Sequence, residues 1–271
     1  MEDKTKIYVV THGNFDIPKV PGNYSLFVGA NGRDDINADY RDDTGDNISY
    51  LNPHYCELTG LYWMWKNSSD DILGLCHYRR FLSLNYFSDD PKYFLTAKKA
   101  EEILKDHDLI TAERYTFYMR VFDKSIDHPN HDDVYLLRDV VKDVYPDYLA
   151  DYDWFFWDNN KIAWYNMMIC KKELLDSYCE WLFAILSEFD KRHDISLETG
   201  YRVRLQGCLS ERLLNVWIHH NISPNRVKYL RYVKTDEKSH EIIKHLGFAV
   251  KDLIWPFYRL FHKNTIEENK K

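Results

Sequence analysis

Long apolar segments and an excess of basic residues are both missing from this chain of 271 residues. No stretch of about 20 residues is apolar enough to span a bilayer, and no apolar segment of the signal-peptide type stands near the first residue. The formal net charge of -7 lacks the basic footprint that a nucleic-acid-binding surface normally shows. We therefore expect a cytoplasmic protein with no nucleic acid among its partners.

Cysteine, glycine and proline are scarce as well. With 10 Gly and 8 Pro the chain is neither collagen-like nor of low complexity, and its 5 Cys are scattered, odd in number and without zinc-type spacing. The glycine-rich phosphate motifs of dinucleotide-binding and P-loop enzymes and the serine elbow of hydrolases are absent. The sequence does contain 45% hydrophobic and 16% aromatic residues, which is enough for the packed core of a globular domain with reduced, buried thiols.

Hydrophobic periodicity predicts strands that alternate with helices. Strands are expected at 7–11, 24–29, 72–76, 108–111 and 163–170, and helices at 53–67, 96–106, 132–144, 172–189 and 210–219. This alternation is typical of an α/β fold with a mainly parallel sheet, in which ligands bind beyond the carboxyl ends of the strands. A polar loop, 31–52, is long for a compact domain and indicates a binding role or hidden short elements.

Polar residues follow three strands of the predicted sheet. They are Thr11 with His12, Gly29, and the run His-Tyr-Arg-Arg at 77–80. The last is the most informative, because two Arg and a His after a buried strand concentrate positive charge in an otherwise acidic chain. Guanidinium groups in this position suit a diphosphate ligand. The alternative is that Arg79 and Arg80 pair with the aspartates of loop 31–52.

Carboxylate clusters give two candidate metal sites. The run DDTGDN at 42–47 is rich in carboxylates but lacks the ligand spacing of a calcium-binding hand. The second cluster joins Asp132 and Asp133 to His128 and His131. It is either a divalent-cation site or the acidic first turn of a helix, and the capping interpretation is favoured.

Glu211 is the candidate base. The sequence predicts that it lies in the first turn of the helix at 210–219, where the helix dipole keeps a carboxylate ionised. An ionised carboxylate can accept a proton from a reacting group. The alternative is a capping residue paired with a nearby Arg.

The C-terminal segment, from Glu241 onward, combines aromatic and basic residues. Its composition suits a membrane interface, and it equally suits a terminal helix that folds back on the core while Lys and Arg side chains reach solvent. No internal repeat or linker interrupts the chain. We therefore divide it into a domain at 1–235 and a C-terminal appendage at 236–271.

Several long motifs identify a known family. The chain contains DDTGDNIS at 42–49, YCELTGLYWMWKN at 55–67, ILGLCHYRRF at 72–81, YNMMICKKELLDSYCEWLF at 165–183 and LSERLLNVWI at 209–218. Together they resemble the bacterial capsular and exopolysaccharide glycosyltransferases catalogued as domain of unknown function 4422, to about residue 230. The resemblance implies a GT-A-like fold, which is an α/β, Rossmann-type open mixed sheet flanked by helices, here a single domain with a C-terminal helical appendage.

For function, the resemblance implies transfer of galactofuranose or galactose from a UDP-sugar to a growing capsular, exopolysaccharide or O-antigen chain, with inversion. The acceptor in such pathways is a lipid-linked oligosaccharide, which predicts peripheral association of the C-terminal segment with the inner leaflet of the cytoplasmic membrane. Two alternatives stay open. One is a retaining, metal-dependent hexosyltransferase, and the other is a noncatalytic carbohydrate-binding or assembly protein whose aromatic residues stack on sugars.

The resemblance also implies roles for individual residues. Common GT-A enzymes carry an Asp-x-Asp metal motif, whereas this chain has HYRR at 77–80 in the equivalent place. We therefore expect His77, Arg79 and Arg80 to stabilise the departing UDP with no cofactor required, and Asp43 and Asp46 are the fallback site for Mn²⁺ or Mg²⁺. The expected contacts to the donor are Thr11, His12, Gly29, Asp43, Gly45, Asp46, Asn47 and Asn52. Glu211 is expected to be the catalytic base, and Tyr78 and Asn166 to bind substrate.

Overall fold

A mixed β-sheet organises the computed structural model, which describes residues 4–125, 129–237 and 241–262. The strands are β1 (Thr5–Thr11), β2 (Asn23–Phe27), β3 (Tyr40–Arg41), β4 (Ile72–His77), β5 (Arg80–Ser83), β6 (Leu109–Ala112), β7 (Arg114–Thr116), β8 (Lys161–Ala163), β9 (Met168–Lys171) and β10 (Val227–Lys234). The helices are α1 (Asn52–Tyr55), α2 (Leu58–Asn67), α3 (Ala97–Ile103), α4 (Val121–Lys124), α5 (His131–Val144), α6 (Leu149–Trp157), α7 (Lys172–Arg192), α8 (Leu205–Asn221) and α9 (Glu241–Phe261). The predicted α/β fold, a mixed sheet flanked by helices, is confirmed.

The main sheet pairs its strands in the order β3-β2-β1-β4-β5-β10-β6-β9, and β9 also pairs with β4. All of these strands are parallel except β5 and β9, which run antiparallel to their neighbours. In the register, Thr11 of β1 lies beside Phe27 of β2, and Val10 lies beside His77 of β4. The carboxyl ends of these three strands therefore meet at one edge of the sheet.

Apolar side chains cover both faces of the sheet. Tyr8 and Val10 of β1 point into the larger core cluster, together with side chains of α2, α5, α6, α7 and α8. Ile7 and Val9 point to the opposite face, where α3 packs. Because successive side chains of a strand alternate between faces, a strand buried on both sides needs the continuous apolar run that β1 has.

Two predicted elements are interrupted by residues with positive φ. The helix expected at 53–67 is two helices, α1 and α2, because Cys56 has a φ of 53°. The strand expected at 163–170 is divided into β8 and β9 by Tyr165 and Asn166, whose φ angles are 75° and 52°. Neither break falls on a glycine, and apolar periodicity carries no information about a single left-handed residue.

One buried carboxylate ties loop 31–52 to the sheet edge. The carboxylate of Asp42 accepts hydrogen bonds from the backbone N–H groups of Gly29, over 2.9 Å, and Ala30, over 3.0 Å. It also accepts one from the hydroxyl of Ser49, over 2.5 Å. These charge-assisted bonds hold a long segment in place with very little regular structure, since β3 is only two residues long.

The acidic start of α5 is a helix cap. Asn130 Oδ1 accepts the backbone N–H of Asp133, and Asp133 Oδ2 accepts the backbone N–H of Asn130, which together make a capping box. The capping interpretation is therefore confirmed for Asp133. His131 is the first residue of α5, and His128 lies outside the described residues.

Helix α9 packs against the segment around β7. Lys244 forms an ion pair with Glu113, and Lys251 Nζ donates to the hydroxyl of Tyr115 over 2.9 Å. In the described ranges, which end at residue 262, no helix combines the length and the apolar character that crossing a bilayer would need. Residues 263–271 of the predicted appendage lie outside those ranges.

Candidate active site

A cavity of about 440 Å³ opens at the sheet edge where β1 and β4 end. Its walls come from the end of β1, Val28 just after β2, the junction of α1 and α2, the turn between β4 and β5, and the segment from Tyr201 into the first half of α8. The bend between β8 and β9 closes it with Tyr165. A cavity in this position agrees with the rule that open α/β sheets bind ligands beyond their strand ends.

The turn between β4 and β5 brings the HYRR motif to the cavity. His77 pairs with Arg80 in an antiparallel hairpin, so Tyr78 and Arg79 form a two-residue turn at its tip. All four side chains line the cavity, as the sequence led us to expect for the end of a buried strand. Arg79 Nη1 bonds to Asp236 over 2.8 Å, so its carboxylate partner lies after β10 and not in loop 31–52.

Glu211 lies on the cavity wall and is largely buried, with 16% of its side chain exposed. Its Oε1 accepts the backbone N–H of Tyr165 over 2.9 Å. The pKa of Glu211 is raised to about 7, chiefly because burial disfavours the charged form. The charge of Arg212 lowers this pKa and the charge of Glu57 raises it.

This arrangement corrects the sequence-based description of Glu211. Helix α8 begins at Leu205, so Glu211 is in its second turn and beyond the main reach of the helix dipole. The predicted start at residue 210 was wrong because the first turn, which includes Gly207, shows no capping signal. The carboxyl group therefore titrates near neutral pH and is not held fully ionised by the dipole.

The left-handed bend at Tyr165 and Asn166 connects the two sides of the cavity. His77 Nε2 donates to the carbonyl of Tyr165 over 2.7 Å, while the N–H of the same residue binds Glu211. Burial lowers the pKa of His77, and the charge of Arg80 acts in the same direction. His77 is therefore a neutral donor that fixes the backbone beside the base, and it adds no positive charge.

Glu57 is a second carboxylate of the cavity, and the sequence-based reasoning missed it. Its Oε1 accepts from Asn166 Nδ2 over 2.8 Å, and Asn166 also donates to Ser210 Oγ over 2.8 Å. Asn166 is thus buried behind the wall and is not among the lining residues. Within the CELTG motif, Glu57 looks like an ordinary polar position of an amphipathic helix, and only the break at Cys56 turns it to the cavity.

Arg204 is the other residue that was missed. It stands just before α8 and lines the cavity, and its Nε donates to Cys56 Sγ over 3.2 Å. Arg80 lies with its guanidinium carbon 4.1 Å from the ring centre of Tyr165. In the part of the chain that the structure describes, neither Arg80 nor Arg204 forms an ion pair with a carboxylate, so both keep their charge available to an anionic ligand.

An aromatic cluster forms the outer rim. Tyr78 stacks on Phe15 with ring centres 3.9 Å apart, and His12 meets both rings edge to face. Burial and the nearby charges of Arg204 and Arg33 lower the pKa of His12. The rim therefore offers flat, uncharged surfaces beside a cationic wall, which suits a ligand with a planar part and an anionic part.

The thiols of the cavity are protonated at neutral pH. Burial raises the pKa of Cys56 to about 11 and that of Cys208 to about 12. Both cysteines line the cavity as free thiols. Since the thiolate is the nucleophilic form, neither side chain is activated for covalent catalysis.

The remaining predicted donor contacts divide into two groups. Thr11 and Asn52 line the cavity, and Gly29 lies directly behind Asn52: a β-carbon at Gly29 would come within 2.5 Å of Asn52 Oδ1. The second group, which comprises Asp43, Gly45, Asp46 and Asn47, is not brought to the cavity lining.

Side chains of this second group are bound within their own loop or to α2. Asp43 forms an ion pair with Arg41 over 2.9 Å, and Asp46 Oδ1 accepts from the hydroxyl of Tyr62 over 3.1 Å. Asn47 Nδ2 donates to the carbonyl of Gly45 over 2.9 Å. Across the described ranges, no three His, Cys, Asp or Glu side chains converge as metal ligands do, and this holds for the loop as well.

The fold and the cavity together define an α/β protein with a cationic, two-carboxylate cleft at its parallel strand ends. The chain belongs to the family described as Domain of unknown function (DUF4422), whose model matches residues 6–222, so the resemblance read from the motifs is confirmed. The chain is also similar to a solved structure, the apo structure of the WbbM bifunctional glycosyltransferase, with a TM-score of 0.77 and 27% identity over 87% of this chain. The match covers 46% of that chain, so the present chain spans about half of its length. No curated protein matches it.

Proposed function

We propose that this protein is a glycosyltransferase that moves a sugar from a UDP-sugar donor to an acceptor hydroxyl with inversion at the anomeric carbon. The similarity to WbbM supports glycosyl transfer as the reaction class. The observation that carries the proposal is one cavity that holds both a carboxyl group with a pKa of about 7 and two arginines that pair with no carboxylate among the described residues. Galactofuranose and galactose are the favoured sugars, on the family resemblance alone.

The arginines act on the leaving group. When the bond between the anomeric carbon and the phosphate oxygen breaks, the electron pair leaves with UDP, and negative charge grows on the diphosphate. Arg80 and Arg204 stabilise that charge, and Arg79 contributes while it is held by Asp236. Because these fixed cations already stand at the site, we propose that transfer requires no divalent cation.

Glu211 acts on the nucleophile. The acceptor hydroxyl attacks the anomeric carbon from the side opposite the leaving oxygen, and its proton passes to Glu211. A base with a pKa near 7 is basic enough to take the proton and is still substantially ionised at neutral pH. A single displacement of this kind inverts the configuration at the anomeric carbon.

The acceptor is proposed to be a growing capsular, exopolysaccharide or O-antigen chain on a lipid carrier. The cavity is open at its rim, where the exposed ring of Phe15 stacks on Tyr78. Aromatic faces of this kind contact the apolar faces of sugar rings or a nucleobase. This part of the proposal rests on the family resemblance and on the aromatic rim together.

UDP release from a panel of UDP-sugars tests the reaction. The purified full-length chain is incubated with each donor and a synthetic oligosaccharide acceptor, with and without EDTA, and the product is examined by NMR. Inverted product and EDTA-insensitive release are expected. Retained configuration, or activity that EDTA abolishes and Mn²⁺ restores, would contradict the mechanism. Sugar binding without UDP release from any donor would favour a noncatalytic carbohydrate-binding protein.

A further inference from the structure

Helix α9 lies on the domain with polar side chains inward, around the buried ring of Phe248, which packs against Tyr115. Besides the contacts of Lys244 and Lys251, Tyr258 donates its hydroxyl proton to Asp123 over 2.6 Å, and Asp252 pairs with Lys161 over 2.9 Å. Arg259 reaches Asp158 over 3.5 Å. An amphipathic helix of a water-soluble domain normally packs the other way, with apolar side chains on the core. The polar groups of α9 are therefore used to hold it to the protein.

The opposite face of α9 is apolar and exposed. Eight large apolar side chains, each between 44% and 81% exposed, lie on it: Ile243, Leu246, Val250, Leu253, Ile254, Phe257, Leu260 and Phe261. Together they form one contiguous apolar patch of eight large side chains, whereas apolar residues on the surface of a monomer are normally scattered singly. A surface of this size marks a place where something else covers the protein.

The width of the apolar face indicates what covers it. Positions spaced as in a two-helix seam, such as Val250, Leu253 and Phe257, are flanked on both sides by further uncharged residues, Gly247, Ala249, Ile254, Pro256 and Phe261. In a pair of helices the flanking positions usually carry charges that set the partner and the register. A second copy of α9 would cover the seam and leave these flanks in water, whereas a flat apolar medium covers the whole face.

The charge of the C-terminal segment also favours a lipid surface as the partner of this face. The last 31 residues, 241–271, hold six basic and four acidic residues, in a chain whose net charge is -7. This end of the protein is thus the basic end of an acidic molecule. Because Lys244, Lys251 and Arg259 are already held by groups of the domain, the excess acts only as the net charge of the segment, which favours its approach to an anionic lipid surface. Aromatic and aliphatic residues on one face with Lys and Arg on the other are typical of helices that lie in the membrane interface.

The helix also lies near the cavity. Lys244 Nζ stands 5.1 Å from the ring centre of Tyr232, and the ring of Tyr232 meets that of Tyr165 with centres 5.1 Å apart. Tyr165 lines the cavity and carries the N–H that binds Glu211. The side chain of Lys244 and the ring of Tyr232 therefore connect α9 to the cavity wall.

We propose that the outward face of α9 docks on an anionic bilayer surface, with its apolar side chains in the boundary between headgroups and acyl chains. The inference goes beyond the proposed reaction and does not depend on it, because vesicle binding is measured without donor or acceptor. Both the orientation of the helix and the excess of basic residues contribute to the docking.

Vesicle flotation tests this proposal with the full chain. Vesicles of phosphatidylethanolamine and phosphatidylglycerol in equal parts are mixed with the protein and floated on a density gradient. The wild type is expected to rise with them, and the double variant Leu253→Asp with Phe257→Asp is expected to bind at least about tenfold more weakly. Leu197→Asp is the matched control, since Leu197 is 76% exposed but lies outside α9, and its binding is expected to equal that of the wild type.

Three results would overturn the proposal. A wild type that stays at the bottom of the gradient, a double variant that floats like the wild type, or a control that loses binding equally would each do so. Light scattering on the same samples examines the competing occupant. A wild-type dimer that does not float and that becomes a monomer in the double variant would assign the face to a second copy. Circular dichroism checks that the double variant is folded, which is expected because both substitutions lie on an exposed face.

Discussion

Glu211 Oε1 accepts the backbone N–H of Tyr165 over 2.9 Å, and this hydrogen bond fixes the base against a left-handed bend of the chain. The same residue, Tyr165, receives His77 on its carbonyl oxygen and Arg80 on its ring. One residue with a φ of 75° therefore positions the base relative to the cationic wall. A strained backbone conformation of this kind persists only where many surrounding contacts hold it in place. Such conformations are concentrated at functional sites.

Replacing Glu211 by Gln should remove the base and keep the binding site. We expect kcat to fall by about 100- to 10,000-fold, the usual contribution of a general base, while UDP binding stays close to that of the wild type. Turnover assays and calorimetric titration with UDP measure the two effects. Glu101→Gln, on the exposed side of α3, is the matched control and should leave both unchanged. Undiminished turnover in Glu211→Gln would eliminate the assignment.

The wild-type pH profile should carry the titration of the same group. Because the base must be ionised to accept a proton, kcat/KM should fall as the pH drops below about 7 and reach a plateau above it. Initial rates at saturating and limiting donor, between pH 5 and pH 9, give the profile as an order-of-magnitude test. A profile that stays flat down to pH 5, as the ordinary pKa of a glutamate of about 4.3 would give, would contradict the role of burial.

The raised pKa of Glu211 also has a consequence for stability. The folded protein holds the proton to a higher pH than the unfolded chain does, so the free energy of unfolding decreases as the pH rises between the two pKa values and stays low above about 7. The side-chain amide of Glu211→Gln does not ionise, so this variant does not lose stability in this way as the pH rises. We expect this variant to be more stable than the wild type by about 1–3 kcal/mol at pH 8, with the difference vanishing near pH 4. Chemical denaturation at both pH values measures it, and a variant less stable at pH 8 would contradict the linkage.

Glu57 should influence the reaction through the pKa of Glu211. Its negative charge raises that pKa, so Glu57→Gln should shift the acid limb of the kcat/KM profile to lower pH by up to about one unit. The amide oxygen of Gln can still accept the hydrogen bond from Asn166, so the wall of the cavity is expected to persist. A purely structural role would change the rate at every pH and leave the limb in place. The exposed Glu101→Gln again serves as the control.

Parts of this site could be predicted from the sequence because they follow from local patterns. The continuous apolar run before 77–80 specified a buried strand, and the polar residues after it had to appear at the strand end. The helix expected from residue 96 does start there, since the hydroxyl of Thr96 accepts the N–H of Lys99 and caps α3. These features depend on residues a few positions apart, for which periodicity and capping rules are informative.

Other parts could not be predicted because they depend on contacts between distant segments. Glu57 faces the cavity only because Cys56 adopts a left-handed conformation, and Arg204 does so only because α8 begins five residues earlier than its apolar pattern indicates. The family resemblance led us to expect loop 42–47 at the donor, and its carboxylates made it a candidate metal site. Its first member, Asp42, is instead buried as an anchor for the N–H groups of Gly29 and Ala30. Amino-acid composition cannot distinguish an aspartate that binds a ligand from one that anchors backbone N–H groups.

Arg204 and Arg80 should carry the affinity for the diphosphate. We expect Arg80→Ala and Arg204→Ala each to weaken UDP binding by about tenfold, since a hydrogen bond to a charged group contributes about 1.5 kcal/mol or more. Uridine, which has no phosphate, should bind equally to the variants and the wild type. Arg114→Ala, at an exposed arginine of β7 outside the cavity, is the control. Unchanged UDP affinity in both variants would place the diphosphate elsewhere.

Gly29 should be indispensable for stability and for the shape of the cavity, because its backbone conformation and its lack of space both exclude a side chain. Its φ of +67° is unfavourable for any side chain, and a β-carbon would stand 2.5 Å from Asn52 Oδ1 on the cavity wall. Gly32, three residues away, has a φ of +71° with nothing within 4 Å, so Gly32→Ala experiences the backbone strain alone. We expect Gly32→Ala to cost about 1 kcal/mol and Gly29→Ala about 2–3 kcal/mol more, together with weakened UDP binding as Asn52 is displaced. Equal unfolding free energies for the two variants would show that Asn52 yields freely and that its contact with Gly29 does not shape the site.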